Sequence, residues 1–132
     1  MLLELKISTK LREDLIDITD LVLEKIEQSG IKEGIAVIFV PHTTAAILIN
    51  ENSDPMVKKD ILEYYKRNVP LDYNYYHVEG NSDAHIKSTL IGNSLTLIIE
   101  NSRVILGSWQ GIFFCEFDGP RIRKVYIKII PG

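Results

Sequence analysis

The 132-residue chain has a single cysteine, Cys115, so it cannot form an internal disulfide. Cys115 lies in an apolar run that begins at Ile112, where a buried and unreactive thiol is expected. Stability must then come from a hydrophobic core, and apolar residues make up 45% of the chain, enough for a single domain over residues 1–132. A chain that folds without disulfides is typical of a reducing compartment, which predicts a cytoplasmic protein.

The sequence also lacks long hydrophobic runs and any excess of basic charge. No run approaches the roughly 20 apolar residues of a membrane-spanning helix, so no membrane association is expected. The 15 Lys and Arg residues are outnumbered by 18 Asp and Glu, and nucleic-acid partners are not expected without a clustered basic face. No Walker sequence, dinucleotide fingerprint, paired-cysteine motif or nucleophile elbow is present, which disfavours nucleotide-binding and triad enzymes.

The spacing of apolar residues in the first 50 positions predicts both strands and a helix. A period of two over residues 3–7 predicts a strand, and a helical period follows over residues 18–26. Thr19 or Asp20 can cap this helix, and Gly30 can end it. Residues 34–40 are almost wholly apolar, as expected of a strand covered on both faces, and residues 45–49 repeat that character.

The middle of the chain predicts two helices separated by a loop. Asp54 and Pro55 form a strong helix start, and Pro70 ends the helix, whose apolar stripe contains Val57, Ile61, Tyr64 and Tyr65. Residues 71–80 are polar and rich in tyrosine, without a period, and predict a long loop. A short helix is expected from Ala84 to about Leu90, capped by Ser82 or Asp83.

The last 40 residues predict four strands, at residues 95–100, 103–106, 112–117 and 122–130. Short turns containing Gly, Asn or Pro separate them, which favours an antiparallel meander. The expected fold class is α+β: one domain with a mainly antiparallel sheet packed against about three helices.

The three histidines of the chain, His42, His77 and His85, all lie at predicted ends of elements. Polar groups from different segments can converge at such ends, and three imidazoles that leave one position open suit zinc. His85 also feels the positive end of a helix dipole, which favours its neutral, metal-binding form. Taken singly, each histidine is more often a solvent-facing or hydrogen-bonded side chain than a ligand.

Three glutamates are candidate acids, bases or structural partners. Glu51 follows an apolar strand near His42, and Glu79 follows His77; each is either a general acid or base or a plain loop residue. Glu116 shares its strand face with Ile112 and Phe114, so it is either part of a site or paired, with Arg121 or Arg103 as the expected partner.

A turn at residues 107–111 holds the only tryptophan, Trp109. Trp109 either covers the core from a hairpin or forms an aromatic wall of a binding site or a subunit contact. The sequence alone leaves these interpretations open.

Four motifs together closely resemble the YjbQ-like family. They are Pro41-His42-Thr43-Thr44-Ala45-Ala46, Ile49-Asn50-Glu51-Asn52, His77-Val78-Glu79-Gly80-Asn81-Ser82-Asp83-Ala84-His85, and Gly107-Ser108-Trp109-Gln110-Gly111 followed by Cys115-Glu116-Phe117-Asp118-Gly119-Pro120-Arg121. The resemblance implies a homotrimer with a divalent metal, most simply zinc, on His42, His77 and His85. It also implies secondary thiamine-phosphate synthase activity, in which a pyrimidinylmethyl diphosphate couples to a thiazole phosphate.

The sequence therefore leaves three hypotheses for the function of the protein. The leading hypothesis is a metal-dependent transferase that acts on small phosphorylated heterocycles, with Glu51 or Glu79 as acid or base and with Arg121, Asn81 and Trp109 in contact with substrate. The second is a zinc-dependent hydrolase of a small substrate. The third is a trimeric metal-binding module without catalytic activity.

Overall fold

The computed structural model describes residues 1–132 and contains eight strands and three helices. The strands are β1 (Leu2–Ser8), β2 (Asp14–Asp17), β3 (Gly34–Phe39), β4 (Ala45–Glu51), β5 (Ser94–Glu100), β6 (Arg103–Val104), β7 (Gln110–Glu116) and β8 (Ile122–Pro131). The helices are α1 (Thr19–Gln28), α2 (Pro55–Asn68) and α3 (Ser82–Ile91). The α+β class and the number of helices expected from the sequence are confirmed.

The strands form two antiparallel sheets, one of five strands in the order β1-β8-β3-β5-β6 and one of three in the order β2-β7-β4. The expected C-terminal meander is wrong, because β6, β7 and β8 do not pair with one another. The reason lies in β7, where Ile112 and Phe114 are buried on one face and Phe113 and Cys115 on the other. A strand that must be covered on both faces is most stable at the centre of an inner sheet.

The fold has three layers, with the three-stranded sheet in the middle. The larger core fills the space between the two sheets and includes Val22 and Ile26 of α1. A smaller core lies on the other face of the three-stranded sheet, where Ala84 of α3 and the half-buried Ile61 and Leu62 of α2 cover it. This arrangement fixes α3, the helix that carries His85, against the middle sheet.

The outer face of the five-stranded sheet carries exposed apolar side chains. Within a single chain, residues 34–40 are not covered on both faces as expected, since Ile35 is 38% and Phe39 41% exposed. In the strand register, Ile35 is opposite both Ile98 and Ile130, which are also exposed. These residues form a continuous apolar surface, termed the outer face.

The helix ends match the sequence in part. Asp54 caps α2 by accepting a 2.9 Å hydrogen bond from the N–H of Met56, as expected. At α1, however, Asp17 accepts the hydrogen bond from the Thr19 N–H, so the cap expected of Thr19 or Asp20 is wrong.

Two details of α2 and α3 also differ from expectation. Tyr64 is 54% exposed and does not belong to the half-buried stripe of α2, which Leu62 joins instead. The α3 helix begins at Ser82, with Asn81 as its N-cap residue, and no side chain caps it. No helix in the structure combines the length and the apolar character needed to cross a membrane.

Candidate functional site

A polar cavity of about 600 Å³, termed the histidine cavity, opens where β3 ends and α3 begins. Its walls come from the chain after β3, the start of α3 and the turn between β7 and β8. Only 2 of its 13 lining residues are hydrophobic, so it presents many groups that need polar partners. The polar and charged residues of the lining are His42, Thr43, Thr44, Glu79, Asn81, His85, Asn93, Asp118, Arg121 and Arg123.

His42 enters the cavity from the segment that joins β3 to β4. Its Nε2 atom accepts a 2.9 Å hydrogen bond from the backbone N–H of Lys124. Burial, followed by the positive charge of Arg123, holds the pKa of His42 below its ordinary value of 6.5. A neutral imidazole that accepts at Nε2 carries its proton on Nδ1. His42 therefore presents an N–H donor rather than a free lone pair in this arrangement.

His77 and His85 are brought together by the loop before α3 and by α3 itself. Their ring centroids are 5.6 Å apart, and the ring planes are nearly perpendicular at 88°. Two imidazoles on one tetrahedral zinc ion have centroids about 5 Å apart, given Zn–N distances of about 2.0–2.1 Å. The His77 Nε2 atom also lies 3.7 Å from Oε2 of Glu79. The separation of the two rings is thus close to that of two imidazoles that share an ion, and a carboxylate lies nearby.

A complete metal centre is not formed within the chain, since no group of three or more His, Cys, Asp or Glu side chains is arranged to hold an ion. His42 approaches the pair through His85, with which it lines two adjoining cavities. To become a third ligand, His42 would have to exchange its hydrogen bond with Lys124 for the ion. Within one chain, His77 and His85 are therefore the two candidate ligands that lie together, and a third ligand would require a movement of His42 or another copy of the chain.

Glu116 is fully buried and pairs with Arg123, so the expected pairing with Arg121 or Arg103 is wrong in its partner. Arg123 donates through Nε to Oε1 of Glu116 at 2.9 Å and through Nη2 to Oε2. Burial raises the pKa of Glu116, but hydrogen bonds from Arg123 and Thr9 outweigh it and leave the pKa below its ordinary value. This buried pair holds Arg123 in the cavity wall.

The turn between β7 and β8 places Arg121 at the rim of the cavity. Gly119 makes this turn possible, because a Cβ there would lie 2.3 Å from the carbonyl oxygen of Leu11. Arg121 donates to Oδ2 of Asp118 at 2.9 Å, and its side chain stays 53% exposed. Arg121 is thus oriented but still accessible to a ligand.

Asn81 connects this turn to the start of α3. Its Nδ2 atom donates to Oδ2 of Asp118 at 2.9 Å, whereas its Oδ1 atom is buried and has no hydrogen-bond partner. Burial raises the pKa of Asp118, but the hydrogen bonds from Asn81 and Arg121 lower it more, so the net pKa is below its ordinary value. The Asn81 amide therefore has one unused acceptor beside the cavity.

A second buried charge network fixes the start of α3. Asp83 accepts hydrogen bonds from Arg12 at 3.1 and 3.2 Å and from Lys87 at 3.0 Å, and Lys87 also donates to Glu13. Asp83 and Lys87 are almost completely buried, at 0% and 1% exposed. Burial opposes ionisation of Asp83, yet the hydrogen bonds from Arg12 and Lys87 lower its pKa. The segment between β1 and β2 thereby fixes the helix that carries His85.

The structure does not bring Glu51 or Trp109 to the histidine cavity. Glu51 is the last residue of β4, about 20 Å along the strand from Ala45 at the cavity end. Trp109 lies beside it, where its carbonyl accepts from the Asn52 N–H at 3.0 Å. Trp109 is 68% exposed, so of its two interpretations the one in which it covers the core does not hold.

Sequence reasoning missed the residues that support the site, chiefly Arg12, Lys87 and Arg123. Lys87 was detectable in principle, because it lies four residues after Asp83 on the same helix face. No local signal connects Arg12 to Asp83, which is 71 positions away. Their pairing depends on the tertiary fold.

The fold and the site together define a small antiparallel α+β protein with a histidine-lined polar cavity. A family model described as "UPF0047 protein YjbQ-like" matches residues 3–132, so the chain belongs to this family. It is 56% identical over 130 residues to a UPF0047 protein of Methanocaldococcus jannaschii, covering 98% of this chain and 94% of the relative. It is 51% identical to the UPF0047 protein YugU of Bacillus subtilis, covering 98% and 99% of the two chains.

Solved structures agree with this assignment. A YjbQ/UPF0047 family protein from Clostridium acetobutylicum superposes with a TM-score of 0.94 at 53% identity, covering 97% of this chain and 99% of the other. A YbjQ-like protein from Sulfolobus solfataricus gives a TM-score of 0.95 at 35% identity, covering 100% and 97%. The family and the fold expected from the four motifs are confirmed.

Proposed function

We propose that the protein is a homotrimeric, metal-dependent enzyme that acts on small phosphorylated heterocycles, with thiamine-phosphate synthesis as its nameable activity. The observation that carries the proposal is the His77 and His85 pair, whose ring centroids are 5.6 Å apart beside a polar cavity of about 600 Å³. A cytoplasmic location is part of the proposal, consistent with the free, buried thiol of Cys115.

The proposed metal is zinc, because imidazole nitrogens suit it better than they suit magnesium or calcium. His77 and His85 would hold it, and His42 is the third candidate ligand. A bound zinc ion would neutralise developing negative charge on an oxygen of the substrate. The Lys124 hydrogen bond to His42 suggests that His42 contributes less to affinity than the other two histidines.

The proposed phosphate position lies between Arg121 and the start of α3. Arg121 is oriented by Asp118 but half exposed, so its remaining N–H groups can donate to a phosphate. The start of α3 has no side-chain cap, and uncapped N–H groups at the positive end of a helix favour an anion. Asn81 lies next to both and would contact the same ligand.

Glu79 is the proposed acid or base, because it lines the cavity and lies 3.7 Å from His77. In the transfer reaction, the bond from the pyrimidine methylene carbon to a diphosphate oxygen breaks and a bond to the thiazole nitrogen forms. Glu79 would then supply a proton to the departing diphosphate. Glu51 and Trp109 stay predictions that require either a second copy or an indirect role, since they lie at the far end of β4.

The assembly part of the proposal is supported by the outer face. Ile35, Ile98 and Ile130 are adjacent in the register, and each is more than one third exposed. Contiguous apolar surface of this kind marks contacts between proteins. In the proposed trimer, the outer face contacts a neighbouring subunit.

A zinc-dependent hydrolase is the second candidate, and the ligand type favours it. Diphosphate chemistry usually employs magnesium with oxygen ligands, whereas imidazole-bound zinc activates water near neutral pH. Product analysis separates the two functions, because a hydrolase consumes a single organic substrate.

Metal analysis of purified protein tests the proposal. We expect about one zinc ion per chain in wild type, loss of the ion in His77→Ala and His85→Ala, and weakened binding in His42→Ala. Protein prepared without chelators that contains no transition metal, or His77→Ala and His85→Ala variants that retain it, would show that the proposal is wrong.

A further inference from the structure

A pocket of about 480 Å³, termed the tyrosine pocket, opens between α3 and the loop that follows α2. Four of its eight lining residues are hydrophobic, against 2 of 13 in the histidine cavity. It therefore offers apolar contact that the histidine cavity lacks. Its hydrophobic residues and its histidines are Tyr73, Tyr75, Tyr76, Ile86, His77 and His85.

Two of the tyrosines form an aromatic wall with a fixed geometry. The Tyr75 hydroxyl donates to the carbonyl oxygen of Pro70 at 2.5 Å, and the Tyr75 N–H donates to the carbonyl oxygen of Tyr73 at 2.9 Å. The ring centroids of Tyr73 and Tyr75 are 5.4 Å apart, and the ring planes are tilted by 57°. Aromatic rings attract one another at such separations in tilted or offset arrangements. The same wall can therefore contact a third ring.

Packing within the chain does not account for these tyrosines. Tyr73 is 72% exposed, and neither Tyr73 nor Tyr76 belongs to either hydrophobic core. An apolar pocket of several hundred Å³ that is lined by aromatic side chains is typical of a small-molecule site. The free surface of the Tyr73 ring is thus available to a ligand.

The charge of the tyrosine pocket restricts what that ligand can be. None of its lining residues is Asp, Glu, Lys or Arg, so a charged ring there would lack a compensating partner. Asn74 and Ser82 complete the lining, and their side chains carry hydrogen-bond donors of the kind that a ring nitrogen accepts. An uncharged aromatic ring is therefore favoured, and an anion is disfavoured.

The position of the pocket connects it to the histidine cavity. His85 lines both, and His77 lines the tyrosine pocket with its ring centroid 5.6 Å from that of His85. A ligand that fills the pocket and the cavity must pass the histidine pair. The bond between its ring and its phosphate would then lie beside the two imidazoles.

We propose that the tyrosine pocket binds an uncharged aromatic ring of the substrate through contact with the rings of Tyr73 and Tyr75. This inference rests on the proposed function in treating pocket and cavity as one site, with the ring in the pocket and the phosphate in the cavity. Tyr73 would then determine specificity for aromatic rings and leave the metal and phosphate positions unchanged.

Binding of two ring fragments, followed by nuclear magnetic resonance, tests the inference without phosphate or metal. Methylpyrazine and 2-methyltetrahydropyran are both uncharged six-membered rings with one methyl group, but only methylpyrazine is aromatic. We expect methylpyrazine to bind more tightly and to shift the ring signals of Tyr73 and Tyr75. Tyr73→Leu should lose about two- to tenfold in affinity for methylpyrazine, the effect of one aromatic pair, and little for the saturated ring. Tyr73→Phe keeps the ring and should bind both fragments like wild type.

A matched control makes the result specific. Tyr64→Leu removes an exposed tyrosine of α2 that contacts Tyr65 edge-on and lies outside the pocket, so both affinities should stay unchanged. Tyr73→Leu should melt like wild type, because Tyr73 is exposed and lies outside both cores. Equal affinity of wild type for the two rings, or methylpyrazine binding unaffected by Tyr73→Leu, would overturn the inference. Equal losses in Tyr64→Leu and Tyr73→Leu would also overturn it and indicate unspecific apolar binding.

Failure of the proposed function gives a different result. Titration with zinc and with inorganic phosphate tests the histidine cavity alone, and Tyr73→Leu should not change either affinity. Selective binding of methylpyrazine without binding of zinc or phosphate would support the tyrosine pocket and reject the proposed function. Binding of zinc and phosphate without discrimination between the two rings would do the reverse.

Discussion

Arg123 and Glu116 form a two-point ion pair in the wall of the histidine cavity, with Nε donating to Oε1 at 2.9 Å and Nη2 donating to Oε2. Arg123 is 4% and Glu116 0% exposed, so water solvates neither charge and each charge is compensated by the other. Arg123 also donates to the Thr44 hydroxyl at 2.9 Å, which connects the pair to the segment that carries His42.

Glu116→Gln is expected to lower the free energy of unfolding by about 3 kcal/mol at neutral pH, because it leaves the buried Arg123 charge without its partner. Denaturant unfolding of wild type and variant measures this difference. Glu27→Gln, an exposed glutamate of α1, is the matched control and should unfold like wild type.

The same pair predicts a pH dependence. The pKa of folded Glu116 lies below its ordinary value of 4.5, so the unfolded chain takes up a proton first as the pH falls. The stability from the pair is therefore complete above about pH 4.5 and is lost as the pH falls through the folded pKa. The unfolding free energies of wild type and Glu116→Gln should converge at acid pH. A constant difference down to the lowest pH would contradict this explanation.

Asp83→Asn is expected to destabilise the protein by about 2–3 kcal/mol, because the buried Lys87 loses one of its two carboxylate partners. Asp20→Asn is a matched control, since Asp20 is an exposed acidic residue in the first turn of another helix. Thermal unfolding compares the two variants. Equal melting temperatures would show that the Asp83 network does not hold α3 in place.

Local pattern was sufficient to predict most elements and the ends where the histidines lie. The Asp54 cap, the alternation in β1 and the tyrosine-rich loop all depend on residues within a few positions of one another. Strand partners do not, because pairing joins distant segments, and β7 pairs with β2 and β4 rather than with its neighbours in sequence. The short β2 strand was missed for the same reason.

The site was predictable as a set of residues but not as a geometry. His77 and His85 are eight positions apart in one motif, and the structure places them together. The Arg12 contact to Asp83 arises only when α3 packs against other segments. The alternation of side chains along β7 did indicate that Glu116 lies on the same face as Ile112 and Phe114. Its partner Arg123, however, is supplied by the neighbouring sheet.

Ile98→Glu is expected to dissociate the proposed trimer, because it places a charge in the apolar outer face. Light scattering should give about three times the 15.0 kDa chain mass for wild type and a lower mass for the variant. Leu21→Glu, at a similarly exposed apolar residue of α1, should leave the mass unchanged. A monomeric wild type at micromolar concentration would contradict the trimer itself.

Arg121→Gln is expected to weaken binding of inorganic phosphate by about three- to tenfold, a modest effect because the guanidinium is half exposed. Calorimetric titration measures the affinity, and Arg103→Gln, at an exposed arginine of β6, serves as control. Equal losses in both variants would indicate an unspecific charge effect. An unchanged affinity in Arg121→Gln would place the anion elsewhere.

The last prediction separates the two glutamates that the motifs present as acid or base. Glu79 lines the histidine cavity 3.7 Å from His77, whereas Glu51 ends β4 about 20 Å along the strand from the cavity. Glu79→Gln should therefore lower turnover by about a hundred- to ten-thousand-fold while fold and metal content are kept. Glu51→Gln should retain turnover if the site is complete within one chain.

Metal content, melting temperature and single-turnover rate should be measured on the same preparations of both variants. Loss of metal in Glu79→Gln would make Glu79 a ligand, because the isosteric amide binds zinc poorly. Loss of turnover in Glu51→Gln with full metal would move the acid or base to the far end of β4. Since Glu51 lies about 20 Å along the strand from the histidine cavity, the reacting groups would then have to come from two subunits.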